Sequence, residues 1–200
     1  MSKIPVTLYA EMTPNPATMK FVANNYLIYP DLQVDFSSQS EAKGYSPLAE
    51  ALFDFPFVKN VFIASNFVSV TKTEALSWDY VTNELRDFIR TFIADGNEIL
   101  IKLPETKREE KSVAGSDKKQ YSPSELDDAI VSLLDQYVKP AVEGDGGAID
   151  FLNYNEGVVT VAMRGACSGC PSSTATLKNG IEQLLKTHIP EVKEVIAEQR

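Results

Sequence analysis

Residues 164–172 read Arg164-Gly165-Ala166-Cys167-Ser168-Gly169-Cys170-Pro171-Ser172, a short turn between a strand-like segment and a helix-like segment. This stretch contains the only two cysteines among the 200 residues, and they are separated by two positions. A cysteine pair with this spacing can bind a metal ion, hold a metal cluster or exchange disulfides. The function of the chain depends on which of these three chemistries the pair performs.

The residues around the pair favour the thiolate form of at least one cysteine. Pro171 predicts the first position of a helix, with Cys170 at the N-cap. There the sulfur faces unpaired backbone N–H groups and the positive end of the helix dipole, and both stabilise the thiolate that binds metals. Ser172 and Ser173 could donate hydrogen bonds to sulfur or to bound sulfide, and Arg164 adds a positive charge. An equal alternative places these three side chains in solvent, as ordinary first-turn and strand-end residues.

The number of available ligands limits what the pair can hold. An iron–sulfur cluster usually takes four thiolates, and a structural zinc ion takes four ligands. His188, the only histidine, lies about 27 Å beyond Cys170 if the intervening residues are helical. A complete site therefore requires two chains related by a two-fold axis, each giving Cys167 and Cys170. A site shared in this way opens when the dimer parts, which suits delivery better than permanent electron transfer.

The composition is that of an ordinary soluble globular protein, with 44% hydrophobic and 24% charged residues. The net charge of −9 and the pI near 4.7 give the chain little electrostatic attraction to nucleic acid or to an anionic membrane. No apolar stretch approaches the roughly 18 residues of a membrane-spanning helix, and the first residues resemble no signal peptide. A close cysteine pair is typical of a metal or redox site in a reducing compartment, so the sequence predicts a cytoplasmic protein.

A change of composition divides the chain into two domains. Nine of the eighteen residues from 104 to 121 are charged, and Val113 is the only branched aliphatic residue among them. Such a segment cannot bury enough apolar surface to offset its ordering entropy, which predicts a flexible linker between an N-terminal domain (1–103) and a C-terminal domain (122–200). A flexible coil of this length spans about 20–25 Å. The domains are expected to move independently unless they share an interface.

The N-terminal domain is predicted to mix helices and strands. Apolar residues recur every three or four positions after Ser77, which predicts an amphipathic helix, and a second helix is expected to begin at Ser46-Pro47. Runs of β-branched and alternating apolar residues predict strands over residues 4–11, 19–22, 26–28, 58–64, 67–71 and 99–101.

The C-terminal domain is predicted to have the order α-β-β-α-β. Its first helix begins at a capping box, Ser122-Pro123-Ser124-Glu125, and ends at Gly144. The buried stripe of that helix is predicted to comprise Leu126, Ile130, Leu133, Leu134, Tyr137, Val138 and Ala141. Two strands lead into the cysteine turn, a helix begins at Pro171, and a strand over 192–196 closes the domain. The fold class is therefore α+β, with two small two-layer α/β sandwiches joined by the charged linker.

The chain also resembles a known family. Three segments are similar to the C-terminal domain of NifU, the Nfu-type iron–sulfur scaffold: Gly144-Asp145-Gly146-Gly147, residues 164–173 and residues 176–182. The N-terminal half resembles the domain that precedes it in many Nfu proteins. The matching residues there are Thr13-Pro14-Asn15-Pro16, Met19-Lys20-Phe21, Ser46-Pro47-Leu48-Ala49 and the hairpin over 58–70.

The resemblance implies a non-enzymatic scaffold. Members of the family bind a [4Fe-4S] cluster, sometimes [2Fe-2S], between two subunits and pass it to apo-proteins. Carried over by position, the cluster and metal ligands are Cys167 and Cys170. The implied partners are a second copy of the chain, the upstream iron–sulfur assembly machinery and the apo iron–sulfur recipients, with recognition assigned to the N-terminal domain. A second cluster and a mitochondrial presequence are not expected.

Two other functions use the same cysteine pair. A thiol–disulfide oxidoreductase also carries Cys-x-x-Cys at the start of a helix, but in a longer βαβ unit rather than in a short β-β-α context. Zinc could instead bridge two chains through the same four thiolates. Insulin reduction would indicate the first alternative, and zinc without sulfide in the purified protein would indicate the second.

Overall fold

A computed structural model describes residues 5–30, 32–104, 126–168 and 171–199, apart from the side chains of 171–173 and 199. Cys170, residues 105–121 of the predicted linker and the predicted capping box at 122–125 lie outside the described residues. The chain forms two α+β domains, each with its own sheet, as the sequence predicts.

The N-terminal domain is built on one antiparallel sheet. Its strands are β1 (Leu8–Met12), β2 (Thr18–Ala23), β3 (Gln33–Phe36), β4 (Val58–Ala64) and β5 (Phe67–Lys72). Their order across the sheet is β1-β2-β5-β4-β3. The β4–β5 hairpin forms where the sequence predicts it. Three helices accompany the sheet: α1 (Gln39–Ala42), α2 (Pro47–Leu52) and α3 (Trp78–Ala94).

The inner face of this sheet packs against α2 and α3. Successive residues of a strand point to opposite faces, so every second residue enters this core. Leu48 and Leu52 of α2 and Leu85 and Ile89 of α3 are fully buried there. The strand residues of the core are Phe21, Val34, Phe36, Val61, Ile63, Val68 and Val70.

The opposite face is covered by the C-terminal domain. We call it the outer face and define it by Lys20, Val22, Asp35, Phe62, Phe67 and Ser69. All of these except the partly buried Asp35 are at most 8% exposed. Val22, Phe62 and Phe67 form a small apolar cluster with Ala148 of the C-terminal domain. The two domains therefore share an interface. The sequence predicts independent motion only for domains without one.

The C-terminal domain has the predicted α-β-β-α-β order. Its elements are α4 (Asp127–Leu133), a π turn (Leu134–Val138), α5 (Lys139–Gly144), β6 (Gly147–Asn155), β7 (Val158–Gly165), α6 (Pro171–His188) and β8 (Glu194–Gln199). β7 lies between β6, to which it is antiparallel, and β8, to which it is parallel. No helix in the ranges that the structure describes is long and apolar enough to cross a membrane.

The π turn changes which residues of the first helical segment are buried. Its widened backbone keeps residues four apart on one face, so the buried residues are Ile130, Leu134, Val138 and Val142. Tyr137 is 51% exposed and Ala141 is also exposed, so their predicted places in the stripe were wrong.

Two predicted strands of the N-terminal domain are also wrong. Residues 26–28 and 99–101 are irregular, while β3 and the short helix α1 form where no element was predicted. The segment at 99–101 pairs with none of the described strands and is instead hydrogen-bonded to the residues at the start of α2. The Ser46 hydroxyl donates to the Ile99 carbonyl at 2.6 Å, and the Ile101 N–H donates to the Tyr45 carbonyl at 2.7 Å.

Replacing Ser46 with alanine is expected to destabilise the N-terminal domain by about 2–4 kcal/mol, because one fully buried hydroxyl both caps α2 and satisfies the Ile99 carbonyl. Ser38→Ala removes the N-cap of α1, a weaker contact at 3.4 Å, and should cost only about 0.5–1 kcal/mol. Denaturant unfolding measures both free energies. Equal losses in the two variants would contradict the double role of Ser46.

Candidate functional site

The cysteine turn continues directly from the end of β7. Gly165 has a φ of +64°, a left-handed conformation that favours glycine. The Ser168 N–H donates to the Gly165 carbonyl at 3.1 Å and closes the turn, while the Ala166 N–H donates to the Gly146 carbonyl at 3.2 Å. Cys167 therefore lies in a tight turn that is bonded to the glycine-rich turn between α5 and β6.

The side chain of Cys167 points into the C-terminal core rather than into solvent. It is 6% exposed and belongs to the hydrophobic cluster of this domain. Its sulfur lies so close to Gly147 that a Cβ at that position would come within 2.7 Å of Sγ. The Cys167 carbonyl accepts a hydrogen bond of 3.1 Å from the Thr174 hydroxyl in the first turns of α6. Gly147 is therefore the residue that makes room for the sulfur.

Burial raises the pKa of the Cys167 thiol to about 11, and the negative charge of Asp145 adds to the increase. The thiol is neutral near pH 7, whereas the thiolate is the form that binds iron or attacks a disulfide. Thiol ligands of a metal are deprotonated, so any metal bound by Cys167 must displace this proton. The chemistry of the donor fits iron and zinc, while its burial requires the turn to change before a metal can reach it.

Arg164 is engaged by an acidic neighbour in the same sheet. Its guanidinium contacts the Asp150 carboxylate at 2.9 Å, between neighbouring strands, and its side chain is 25% exposed. The arginine is therefore neither a fully solvated strand-end charge nor an unpaired cation at the cysteines. Burial raises the pKa of the nearby Asp35 carboxyl, and hydrogen bonds from Asn60 and Gly165 and the positive charge of Arg164 only partly offset this increase.

The other residues considered for the site lie along α6 or just before it. α6 begins at Pro171, as the sequence predicts, but Cys170 itself and the side chains of Ser172 and Ser173 lie outside the described part of the chain. His188 is the last residue of the 18-residue helix α6, at the end away from the cysteine turn, and its ring stacks on Tyr137. Among the described residues, no group of three or more His, Cys, Asp or Glu side chains could hold a metal ion.

Four N-terminal side chains, which the sequence did not connect with the cysteines, contact the backbone of the cysteine turn or of the neighbouring turn at residues 143–146. The Asn15 amide donates to the Ala166 carbonyl at 3.1 Å and lies 3.5 Å from the Ser168 carbonyl, on the two sides of Cys167. The others are Lys20, Asp35 and Ser69 of the outer face. The only sequence signal for this contact was the apolar residues of the outer face, since a sheet covered on one side normally exposes polar residues on the other.

Comparisons with known proteins agree with the resemblance seen in the sequence. The family model described as "NifU-like domain" matches residues 130–196, and the one described as "Scaffold protein Nfu/NifU N terminal" matches residues 8–96. The chain is 36% identical over 195 residues to "NFU1 iron-sulfur cluster scaffold homolog, mitochondrial" of Drosophila willistoni. It is 34% identical over 193 residues to "NifU-like protein 4, mitochondrial" of Arabidopsis thaliana. The chain belongs to the Nfu/NifU-like scaffold family.

These matches cover nearly all of this chain but a smaller share of each relative. They cover 98% and 94% of this chain but 64% of each relative, so the chain spans less than two thirds of the length of these curated relatives. A solution structure of a NifU-like protein from Saccharomyces cerevisiae aligns with 51% of this chain and 88% of its own, at 20% identity and a TM-score of 0.43. The predicted cytoplasmic location is wrong, because both relatives are named as mitochondrial proteins.

The raised pKa predicts slow alkylation of Cys167 in the metal-free protein. In the Cys170→Ser variant at pH 8, a pKa of about 11 leaves about a hundredfold less thiolate than an ordinary pKa near 9, so iodoacetamide should react about a hundredfold more slowly than after denaturation. The rate should climb with pH up to about 11. Asp145→Asn removes the repulsion and should speed the reaction, whereas Glu156→Gln in the β6–β7 turn should not. Equal rates in the folded and denatured protein would contradict this burial.

Proposed function

We propose that this protein is an iron–sulfur cluster scaffold that binds a [4Fe-4S] cluster, or alternatively a [2Fe-2S] cluster, between two copies of the chain and delivers it to apo-proteins. Cys167 and Cys170 of each copy are the proposed ligands. The observation that carries the proposal is the ligand count, since one chain contains two cysteines and a cluster takes four thiolates. The names of the family and of its relatives support the iron–sulfur chemistry.

The remainder of the proposal follows from a site divided between chains. His188, at the far end of α6, offers no additional ligand, so the second pair has to come from another subunit. The cluster is cargo rather than a resident redox centre, and the protein is not an enzyme. Upstream assembly machinery would supply the cluster, and apo iron–sulfur proteins would receive it. The names of the relatives make mitochondria the proposed compartment.

The two-domain division fits this role. We propose residues 1–103 as the Nfu-type N-terminal domain, 104–121 as the linker and 122–200 as the cluster-binding domain. The family matches at 8–96 and 130–196 support the first and the last of these.

The buried thiol argues against an oxidoreductase. Disulfide exchange by a Cys-x-x-Cys pair uses both sulfurs, so both must be accessible, and the attacking cysteine has a lowered pKa, about 7 in thioredoxin and about 3.5 in DsbA. Cys167 has its pKa raised to about 11 and is shielded from solvent, which makes it a poor nucleophile. A scaffold tolerates this property better, because the positive charge of arriving iron favours loss of the proton.

Anaerobic reconstitution of the full chain with ferrous and ferric iron and sulfide should give a dimer containing about four iron and four sulfide ions per two chains. Cys167→Ala and Cys170→Ala should each abolish cluster binding and leave the chain monomeric, as measured by iron and sulfide content and by sedimentation. Ser168→Ala, between the two cysteines, retains all four thiolates and is the matched control. Full cluster content in either cysteine variant would refute the proposed ligands, and zinc without sulfide in the native protein would favour the zinc-bridged dimer.

A further inference from the structure

The contact between the two domains is made largely by side chains that bind main-chain atoms. The Lys20 ammonium donates to the carbonyls of Glu143 and Gly144, at 2.9 and 3.1 Å, in the last turn of α5. A cation at this end of a helix binds carbonyls that have no partner within the helix and complements the helix dipole. The Ser69 hydroxyl donates to the carbonyl of Gly146, two residues beyond Gly144, at 2.7 Å.

Two more contacts reach the cysteine turn itself. The Gly165 N–H donates to the Asp35 carboxylate at 3.3 Å, and this carboxylate also accepts a hydrogen bond from Asn60 of β4. Asn15 binds the Ala166 carbonyl and is held in place by its own turn, where its side-chain oxygen accepts from the Ala17 N–H at 3.0 Å. The N-terminal domain therefore holds the backbone immediately before Cys167 at two points.

The outer face also approaches the glycines of the C-terminal domain closely. A Cβ at Gly165 would lie 2.9 Å from the Phe62 ring, and a Cβ at Gly146 would lie 2.8 Å from the Ser69 hydroxyl oxygen. Both glycines have positive φ, +64° and +81°, so their backbone conformation and this close approach favour the same residue. The outer face of the sheet therefore packs closely against two turns of the C-terminal domain, the turn at Gly146 and the cysteine turn at Gly165.

This docked arrangement conflicts with a cluster held between two chains. A shared cluster must touch sulfurs from both subunits, so the Cys167 sulfur has to reach the surface, whereas here it is buried against Gly147. If the backbone of the turn changes to bring the sulfur outward, the peptide groups on either side of Cys167 rotate with it, and one of them carries the Ala166 carbonyl that Asn15 binds.

We propose that docking of the N-terminal domain and loading of the cluster exclude one another, so that loading releases the outer face of the sheet from the C-terminal domain. The inference rests on the proposed scaffold function. It makes Asn15, Lys20, Asp35 and Ser69 positioning residues that hold the empty turn with its thiol buried. It also means that Lys20, Val22, Phe62 and Phe67 become accessible only in the loaded protein. Coupling of this kind is reciprocal, so weaker docking must strengthen loading by the same factor.

Lys20 itself can report the docked state, because its ammonium is bonded to two carbonyls and the residue is 8% exposed. Acetylation of the full chain by a succinimidyl ester, read by mass spectrometry, should be slow at Lys20 in the metal-free protein. After anaerobic loading with ferrous and ferric iron and sulfide, acetylation of Lys20 should become about 5 to 150 times faster, the usual range for coupling between two sites. Lys43 is exposed, so its rate should stay the same and serves as the internal reference.

The reciprocal test weakens docking without touching the cysteines. Ser69→Ala removes the bond to Gly146 and should speed acetylation of Lys20 in the metal-free protein about 2- to 10-fold, the effect of one hydrogen bond. It should tighten cluster loading by the same factor. Thr71→Ala is the matched control, since its hydroxyl on the same strand bonds Thr18 within the sheet, and it should change neither quantity.

The outcomes separate this inference from the function on which it rests. If Lys20 stays protected in protein whose iron and sulfide content shows full loading, docking and loading coexist and the inference is overturned while the scaffold function stands. Unchanged or weaker loading in a Ser69→Ala variant that does open the interface overturns it as well. If no form of the chain binds a cluster, the proposed function fails and the coupling fails with it, although slow acetylation of Lys20 would still establish the docked interface.

Discussion

The arrangement of this molecule depends on close backbone approach at three glycines. At Gly146 and Gly165 the missing Cβ admits the Ser69 hydroxyl and the Phe62 ring, which brings the N-terminal sheet onto the C-terminal domain. At Gly147 it admits the sulfur of Cys167. The same short turns therefore determine where the thiol lies and where the other domain docks. A side chain at any of these positions would have to displace a packed neighbour, so the interface and the buried thiol are structurally linked.

A buried neutral thiol sets the energetic problem that a scaffold has to solve. In the proposed function, the Cys167 thiol has to lose its proton and reach the surface before it can bind iron, and with a pKa of about 11 the first step is unfavourable near neutral pH. Iron offsets this cost through its own charge, because metal binding to a thiol releases the proton. While the site is empty, burial protects the Cys167 thiol from alkylation and oxidation, because both reactions proceed through an exposed thiolate. The cost of opening also makes the bound state easier to reverse, which suits a carrier.

Local patterns in the sequence predicted the elements whose formation depends on neighbours along the chain. The stripe of α3, the β4–β5 hairpin, the start of α6 at Pro171 and the α-β-β-α-β order could all be read in this way. The irregular segment at 99–101 could not, because a hydroxyl 53 residues away binds it. Cysteine spacing identified the candidate site, yet the spacing says nothing about Asn15, which is 151 residues from the carbonyl it binds. Lys20 and Ser69 alternate with core residues, which is typical of a solvated face, and only the apolar Val22, Phe62 and Phe67 indicated otherwise.

The chemistry of the interface indicates why such a contact can be temporary. Obligate interfaces are large and apolar, whereas contacts between domains of one chain are typically smaller and more polar. Here the apolar part is a small cluster around Phe62 and Phe67, and the remainder is a set of hydrogen bonds between side chains and backbone groups. On opening, water can take over each of these hydrogen bonds, so the net cost per bond is about 1 kcal/mol rather than the full strength of the bond. Because the contacts on the C-terminal side are to main-chain atoms, the fit depends on the conformation of the two turns more than on their side chains. In the proposed coupling, a change of conformation at Cys167 would move the neighbouring Gly165 and Ala166 backbone atoms that the N-terminal domain binds.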